Sequence, residues 1–225
     1  MQAARSRLSH VRQTAFATVL IGALALAATA LADRQQVHLT RTGQKAARAA
    51  VLRRGDLGSG SWTGTRKAPA LSSSIGCPGF HPKQSDLVVI GAADMEWKSA
   101  AAQLDSSAQV LRTKKMVQLD WKRTVRAPQV LPCLRQNVAK SLAATERLSF
   151  VTRLPAPAIT GRVRLFRTVV VVRAGTARTP ILIDSLLIGK GRTEITLTTT
   201  ALYSSRKSVT RMELRLGRKL ADRAG

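Results

Sequence analysis

Carboxylates are scarce in this 225-residue chain: 12 Asp and Glu stand against 37 Lys and Arg, a formal charge of +25. Acid/base catalysis of the glycosidase kind needs two carboxylates facing one cleft with separated pKa values. Asp94 and Glu96, on one face of an alternating strand pattern beside Trp97, are the pair that offers it. Histidine is rarer, with three residues, and there are two cysteines. His38 and His81 stand at no zinc-type spacing from Cys77 or Cys133, so neither a metal nor a cofactor is expected. Aromatic residues make up 4% of the chain, too few to interleave with the basic groups as a stacking platform for single-stranded nucleic acid. A phosphate loop is also lacking. Gly189-Lys190-Gly191-Arg192 has no six-residue Gly-to-Lys frame and leads into a strand pattern where a helix is needed, so it reads as a hairpin turn. There is no internal repeat and no low-complexity tail.

What is present begins with the first 32 residues. Arg5, Arg7 and Arg12 precede an uncharged apolar run from Thr14 to Ala32 that closes on Ala30 and Ala32, the order of a secretory signal peptide with an A-x-A cleavage site. Residues 1–32 are therefore expected to be a signal peptide and 33–225 one secreted domain. Ser6 separates Arg5 from Arg7, so no twin-arginine signal is present, and no Cys near the cleavage site offers a lipid attachment point. The remainder is long enough for one domain with a substantial core. In it His38 lies near the new N-terminus and His81 in a Pro-rich loop, so a Ser-His triad has no well-placed base. In an oxidising compartment Cys77 and Cys133 are read as one disulfide. Closing a loop of that length contributes roughly 4 kcal/mol in the chain-entropy account.

The leader carries three Arg and no acid, so the mature charge is still +22. A field of that strength attracts anionic lipid or cell-wall polymer, and export makes nucleic acid an unexpected partner. The opposing reading is compositional: Arg accumulates on any solvated surface. The basic groups that stand out are Arg112, Lys114 and Lys115; Lys122, Arg123 and Arg126; Arg162, Arg164 and Arg167; and Arg206, Lys207 and Arg211. Of these, Arg123, Arg126, Arg162, Arg164, Arg167 and Arg211 are the expected ligand-binding residues if they converge on one face.

Hydrophobic periodicity predicts helices over residues 42–54, from Thr113 to about Val125, over 128–144 and after Ser205, where Val209, Met212, Leu216 and Leu220 recur at helical spacing. Strands are predicted near 87–98, with a bend or bulge at Gly91, then at 108–112, 148–154, 162–173, 180–188 and 192–203. Short Gly-containing connections between the last three make them antiparallel hairpins. The expected fold is α+β: a two-layer arrangement of an antiparallel sheet of about five to seven strands packed by helices, one layer supplied by the 128–144 and C-terminal helices together.

Several segments carry a resemblance. Asp56-Leu57 leading to Trp62, Cys77-Pro78-Gly79-Phe80, Ser85-Asp86-Leu87 with Gly91-Ala92-Ala93, Cys133-Leu134, and Leu187 through Arg192 together resemble an uncharacterised secreted family of actinobacterial type. More distantly, the order of elements is similar to PsbP-like α/β domains and to the extracytoplasmic sensor domains of some mycobacterial serine/threonine kinases, which have a second Cys pair that this chain lacks. That family brings no activity with it; the first functional reading is a non-catalytic extracytoplasmic binding or sensor-like domain that presents basic and aromatic groups to an envelope component. Two other classes stand beside it: an envelope hydrolase using Asp94 and Glu96, and a structural protein adhering to polyanions through its charge.

Overall fold

The computed structural model describes residues 33–71, 76–157 and 159–224. The signal-peptide segment lies outside them. The elements are β1 (Gln36–Val37), α1 (Arg41–Ala50), β2 (Thr63–Lys67), β3 (Val88–Lys98), β4 (Ala102–Leu111), α2 (Lys114–Arg123), α3 (Val130–Ser141), β5 (Glu146–Leu154), β6 (Arg162–Ala174), β7 (Ala177–Lys190), β8 (Thr193–Leu202) and α4 (Arg206–Arg223). One mixed, mostly antiparallel sheet of eight strands runs β1-β3-β4-β8-β7-β6-β5, with β2 also on the outer edge of β3. β5 to β8 form the expected meander. β8 then pairs with β4, which joins it to the β3–β4 hairpin.

The α+β class and its antiparallel majority are as the sequence implies. The two extra strands are edge segments without alternation: β1 pairs parallel with β3 at Gln36↔Val88, and all five residues of β2 are exposed. The helices divide between the two faces, where one shared layer was expected. α1 and α4 cover a core containing Ala47, Leu104, Leu186, Ile188, Leu197 and Leu216, whereas α2 and α3 cover a second core of Val89, Leu111, Val117, Trp121, Val130 and Phe166. The strands are apolar on both sides near β6 and β7, so each face needs its own helix pair to exclude water.

Local chemistry explains most of the boundaries. Thr40 caps α1 by accepting from the Gly43 N–H at 3.0 Å, and Thr113 caps α2 through the Met116 N–H at 3.2 Å. α1 stops four residues short of the expected Arg54. Val51 and Leu52 turn extended and bury, and the Leu52 N–H leaves the helical ladder for Ser106 Oγ at 3.1 Å. The bulge foreseen at Gly91 lies between Val89 and Gly91. It receives α1 so closely that a Cβ on Gly91 would stand 2.1 Å from the Gly43 carbonyl. Pro128 falls before α3 rather than inside its first turn. Neither Ser204 nor Ser205 caps α4 with its side chain; a 3-10 turn over Tyr203–Ser205 leads into it.

Cys77 and Cys133 form the disulfide, with Cα atoms 5.6 Å apart, and tie α3 to the loop before β3. Cys77 and Phe80 exchange backbone hydrogen bonds around Gly79, whose φ of +79° favours glycine. Asn137 Nδ2 donates to the Gly76 carbonyl at 3.0 Å, a second tie between the same two segments. Such a bond points to an oxidising compartment. Among the described residues no helix is long and apolar enough to cross a membrane.

Candidate functional site

Strand pairing brings four polar residues into one row on the α1/α4 face: Thr152, Arg167, Asp184 and Thr199 stand opposite one another across β5, β6, β7 and β8. Alternation sends their neighbours Leu165, Leu186 and Leu197 into the core on the same face, so Arg167 and Asp184 are carried inward with them. Asp184 is fully buried, and Arg167 is 8% exposed. Burying these two charges is tolerable because they pair in bidentate geometry: Arg167 Nε and Nη2 donate to the two Asp184 oxygens at 2.8 and 2.5 Å. The Asp184 carboxylate holds the guanidinium above its ordinary range. Nη2 also donates to Thr210 Oγ1 on α4, at 2.8 Å.

α4 contributes a third ionisable group. Glu213 is fully buried, and among the described residues neither of its carboxyl oxygens has a hydrogen-bond partner. Burial, reinforced by the negative charge of Asp184, pushes its pKa up to about 9. The carboxyl is therefore neutral at pH 7, and the charged pair remains Arg167 with Asp184.

Toward solvent, Arg167 forms the floor of a depression of about 580 Å³ lined also by Arg206, Lys207, Thr210 and Arg211 from the first turns of α4. None of Arg206, Lys207 and Arg211 forms an ion pair among the described residues. The first turn of α4 contains no acid, and its N-cap residue supplies no side-chain cap. Cations at a helix N-terminus oppose the helix dipole, typically at 0.3–1 kcal/mol each. An anion seated there would reverse that penalty. Arg206 stacks over the Tyr203 ring at 4.8 Å, and Tyr203 meets Phe150 edge-on at 6.3 Å.

Of the expected binding residues, the structure brings Arg167 and Arg211 together and leaves the other four elsewhere. Arg123, on α2, is engaged with Asp86 through two hydrogen bonds of 2.6 and 2.9 Å. Arg126 is exposed just past α2. Arg162 opens β6 opposite Gly189. Arg164 alternates onto the α2/α3 face and, with Arg153, lines a separate depression of about 440 Å³. Arg123, Arg164 and Arg211 thus do not share a face, because helix α2 and the even positions of β6 lie across the sheet from α4.

Asp94 and Glu96 do lie on one face of β3. Burial pushes Asp94 up, against a bond from the Ala70 N–H at 3.2 Å. Burial also acts on Glu96, but hydrogen bonds from Lys67 and Lys98 outweigh it and hold its carboxyl low. Trp97 is on the opposite face, buried in the α1/α4 core over Gly64. A sugar subsite combining that indole with the two carboxylates is not formed. On the α2/α3 face, burial and the neighbouring Asp120 raise Glu194 well above its ordinary value.

Asp184 and Glu213 were not singled out from the sequence, yet both carry a signal. Asp184 occupies an inward phase between Leu182 and Leu186, and Glu213 repeats the 209, 216, 220 spacing of the apolar stripe on α4.

No protein-family model matches the chain, and no curated protein does. Among solved structures, an uncharacterised protein from Mycobacterium smegmatis is similar at a TM-score of 0.43 and 10% sequence identity, over 79% of this chain and 98% of that one.

Proposed function

We propose that this chain is a non-catalytic, extracytoplasmic binding or sensor-like domain that takes an anionic component of the cell envelope in the depression between β6 and α4. The observation that carries this reading is the meeting of Arg167, Arg206, Lys207 and Arg211 around one concavity, with no carboxylate partner for the last three among the described residues. A surface that was basic by composition alone would scatter its cations, whereas here four converge on one concavity. The leader and the disulfide support an exported product, as do the resemblances in the sequence.

Binding of poly(glycerol phosphate) to the full chain tests the reading against simple adhesion. Two triple variants remove equal charge from opposite faces: Arg206→Ala with Lys207→Ala and Arg211→Ala, or Lys114→Ala with Lys115→Ala and Lys122→Ala. The first is expected to weaken binding about 100-fold, from the loss of charge-assisted contacts, and the second only a few-fold. Equal losses would establish diffuse adhesion and overturn the proposal.

One observation favours a second reading, hydrolysis at Asp94 and Glu96: their environments push the two carboxyls in opposite directions, as an acid and its ionised partner require. Against it, Lys67 and Lys98 engage both oxygens of Glu96. Turnover of wall glycans that survives Asp94→Ala combined with Glu96→Ala would end this reading.

A further inference from the structure

We infer that the ligand of the β6/α4 depression is an anionic phospholipid, its phosphate held by Arg167, Arg206 and Arg211 and its glycerol and first acyl carbons laid against Phe150 and Tyr203. The inference rests on the anion-binding reading above and adds the apolar half of the ligand. Among the described residues, four large hydrophobic side chains are exposed, and Phe150 is one of them at 36%. It stands on β5 opposite Val169, two positions along from the pairing of Thr152 with Arg167, and therefore on the same face as the Arg167 floor. Tyr203, the chain's single tyrosine, bridges Phe150 to Arg206. The result is a continuous strip: an exposed phenyl, a phenol with its polar tip, a guanidinium stacked on that phenol, and then the cationic depression.

A polymer of phosphate and sugar alone would use the cations and leave the phenyl ring in water. A phospholipid uses both halves. Aromatic rings with a polar tip settle at the level between headgroup and hydrocarbon, while Lys and Arg beside them are drawn to the anionic headgroup. Stacking of Arg206 on Tyr203 also limits the orientations of that guanidinium, so less entropy is lost when it grips a phosphate. None of the residues lining the depression is acidic, and the one carboxylate behind its floor, Asp184, is masked by its bidentate pairing with Arg167.

The test uses the full chain and short-chain lipids kept below their micelle concentration. Dihexanoyl phosphatidylglycerol is compared with glycerophosphoglycerol, which keeps the same phosphodiester headgroup without acyl chains, and with zwitterionic dihexanoyl phosphatidylcholine. The anionic lipid is expected to bind at least about tenfold tighter than glycerophosphoglycerol, because it adds a few buried methylenes. Phosphatidylcholine should bind far more weakly than the anionic lipid. Phe150→Ser, at an exposed position, should erase most of the lipid's advantage and leave glycerophosphoglycerol unchanged, while Arg206→Ala with Arg211→Ala should weaken both. Equal affinity for the two anionic probes, with Phe150→Ser inert, would make the ligand a soluble phosphodiester and overturn the lipid inference while sparing the anion site. Indifference of both probes to the arginine substitutions would overturn the anion site itself.

Discussion

At the scale of single residues, the decisive group is Glu213. A carboxyl with an ordinary pKa of 4.5 when unfolded and about 9 in the fold binds its proton more tightly in the native state. Stability from this source is full below the unfolded value, falls as pH rises because only the unfolded chain can ionise, and is lost once pH passes the folded value. Glu194 is shifted the same way, whereas Asp86 and Glu96 are shifted down and matter only on the acid side. Glu213→Gln keeps the shape and removes the titration. It is expected to flatten the decline between pH 5 and 9 and to stabilise the protein at pH 8 by on the order of a few kcal/mol, measured by urea unfolding across that range. An unchanged slope would mean that Glu213 is ionised in the fold. The partner pair behaves differently. Arg167→Met leaves Asp184 buried without its cation and should cost about 3–5 kcal/mol. Adding Asp184→Leu removes the stranded charge and should restore most of that loss.

At the scale of elements, close contact between α1 and β3 depends on two glycines facing each other. A Cβ on Gly43 would lie 2.1 Å from the Ile90 carbonyl oxygen, and one on Gly91 equally near the Gly43 carbonyl. Backbone meets backbone there, with no flexible side chain to move aside. Gly91→Ala is therefore expected to destabilise by more than about 3 kcal/mol in denaturant unfolding, although alanine fits most strands. Gly175→Ala, at a positive-φ turn with open space around it, should cost only about 1 kcal/mol. Sequence marked Gly91 as a bulge but not the helix that fills it, because periodicity reports which face is apolar and not what packs on it. For the same reason the long strands β6 to β8 and the stripe on α4 were legible, while β1 and β2 were not: a two-residue strand and an exposed edge strand leave no alternation to read. The site was half legible. Arg167 and Arg211 stood out as basic residues, but their meeting depends on the β6–β7 register and on the face to which α4 returns. Trp97, by contrast, was readable as an inward position two residues from Met95, and pairing it with Asp94 and Glu96 ignored that alternation.

At the scale of the whole molecule, the question is how a chain of charge +25 stays folded. The described residues form seven close ion pairs, and several of these share a carboxylate, so most cations have no partner. Like charges then repel across the surface, and their mutual repulsion weighs more on the compact state than on the expanded one. Salt screens this repulsion over about 10 Å at 0.1 M. Raising NaCl from about 20 to 300 mM should accordingly raise the melting temperature of the free protein, by a few degrees for a relief of about 1 kcal/mol. Bound anion changes the sign. A ligand that stabilises by mass action through Arg206, Lys207 and Arg211 loses affinity as salt rises, so the extra stability it confers must shrink over the same range. Two melting series, without and with poly(glycerol phosphate), should therefore converge from below and above as salt increases. If the free protein instead melts lower in salt, its cations are already compensated in the fold, and the depression beside α4 would have no unmet charge with which to draw a ligand.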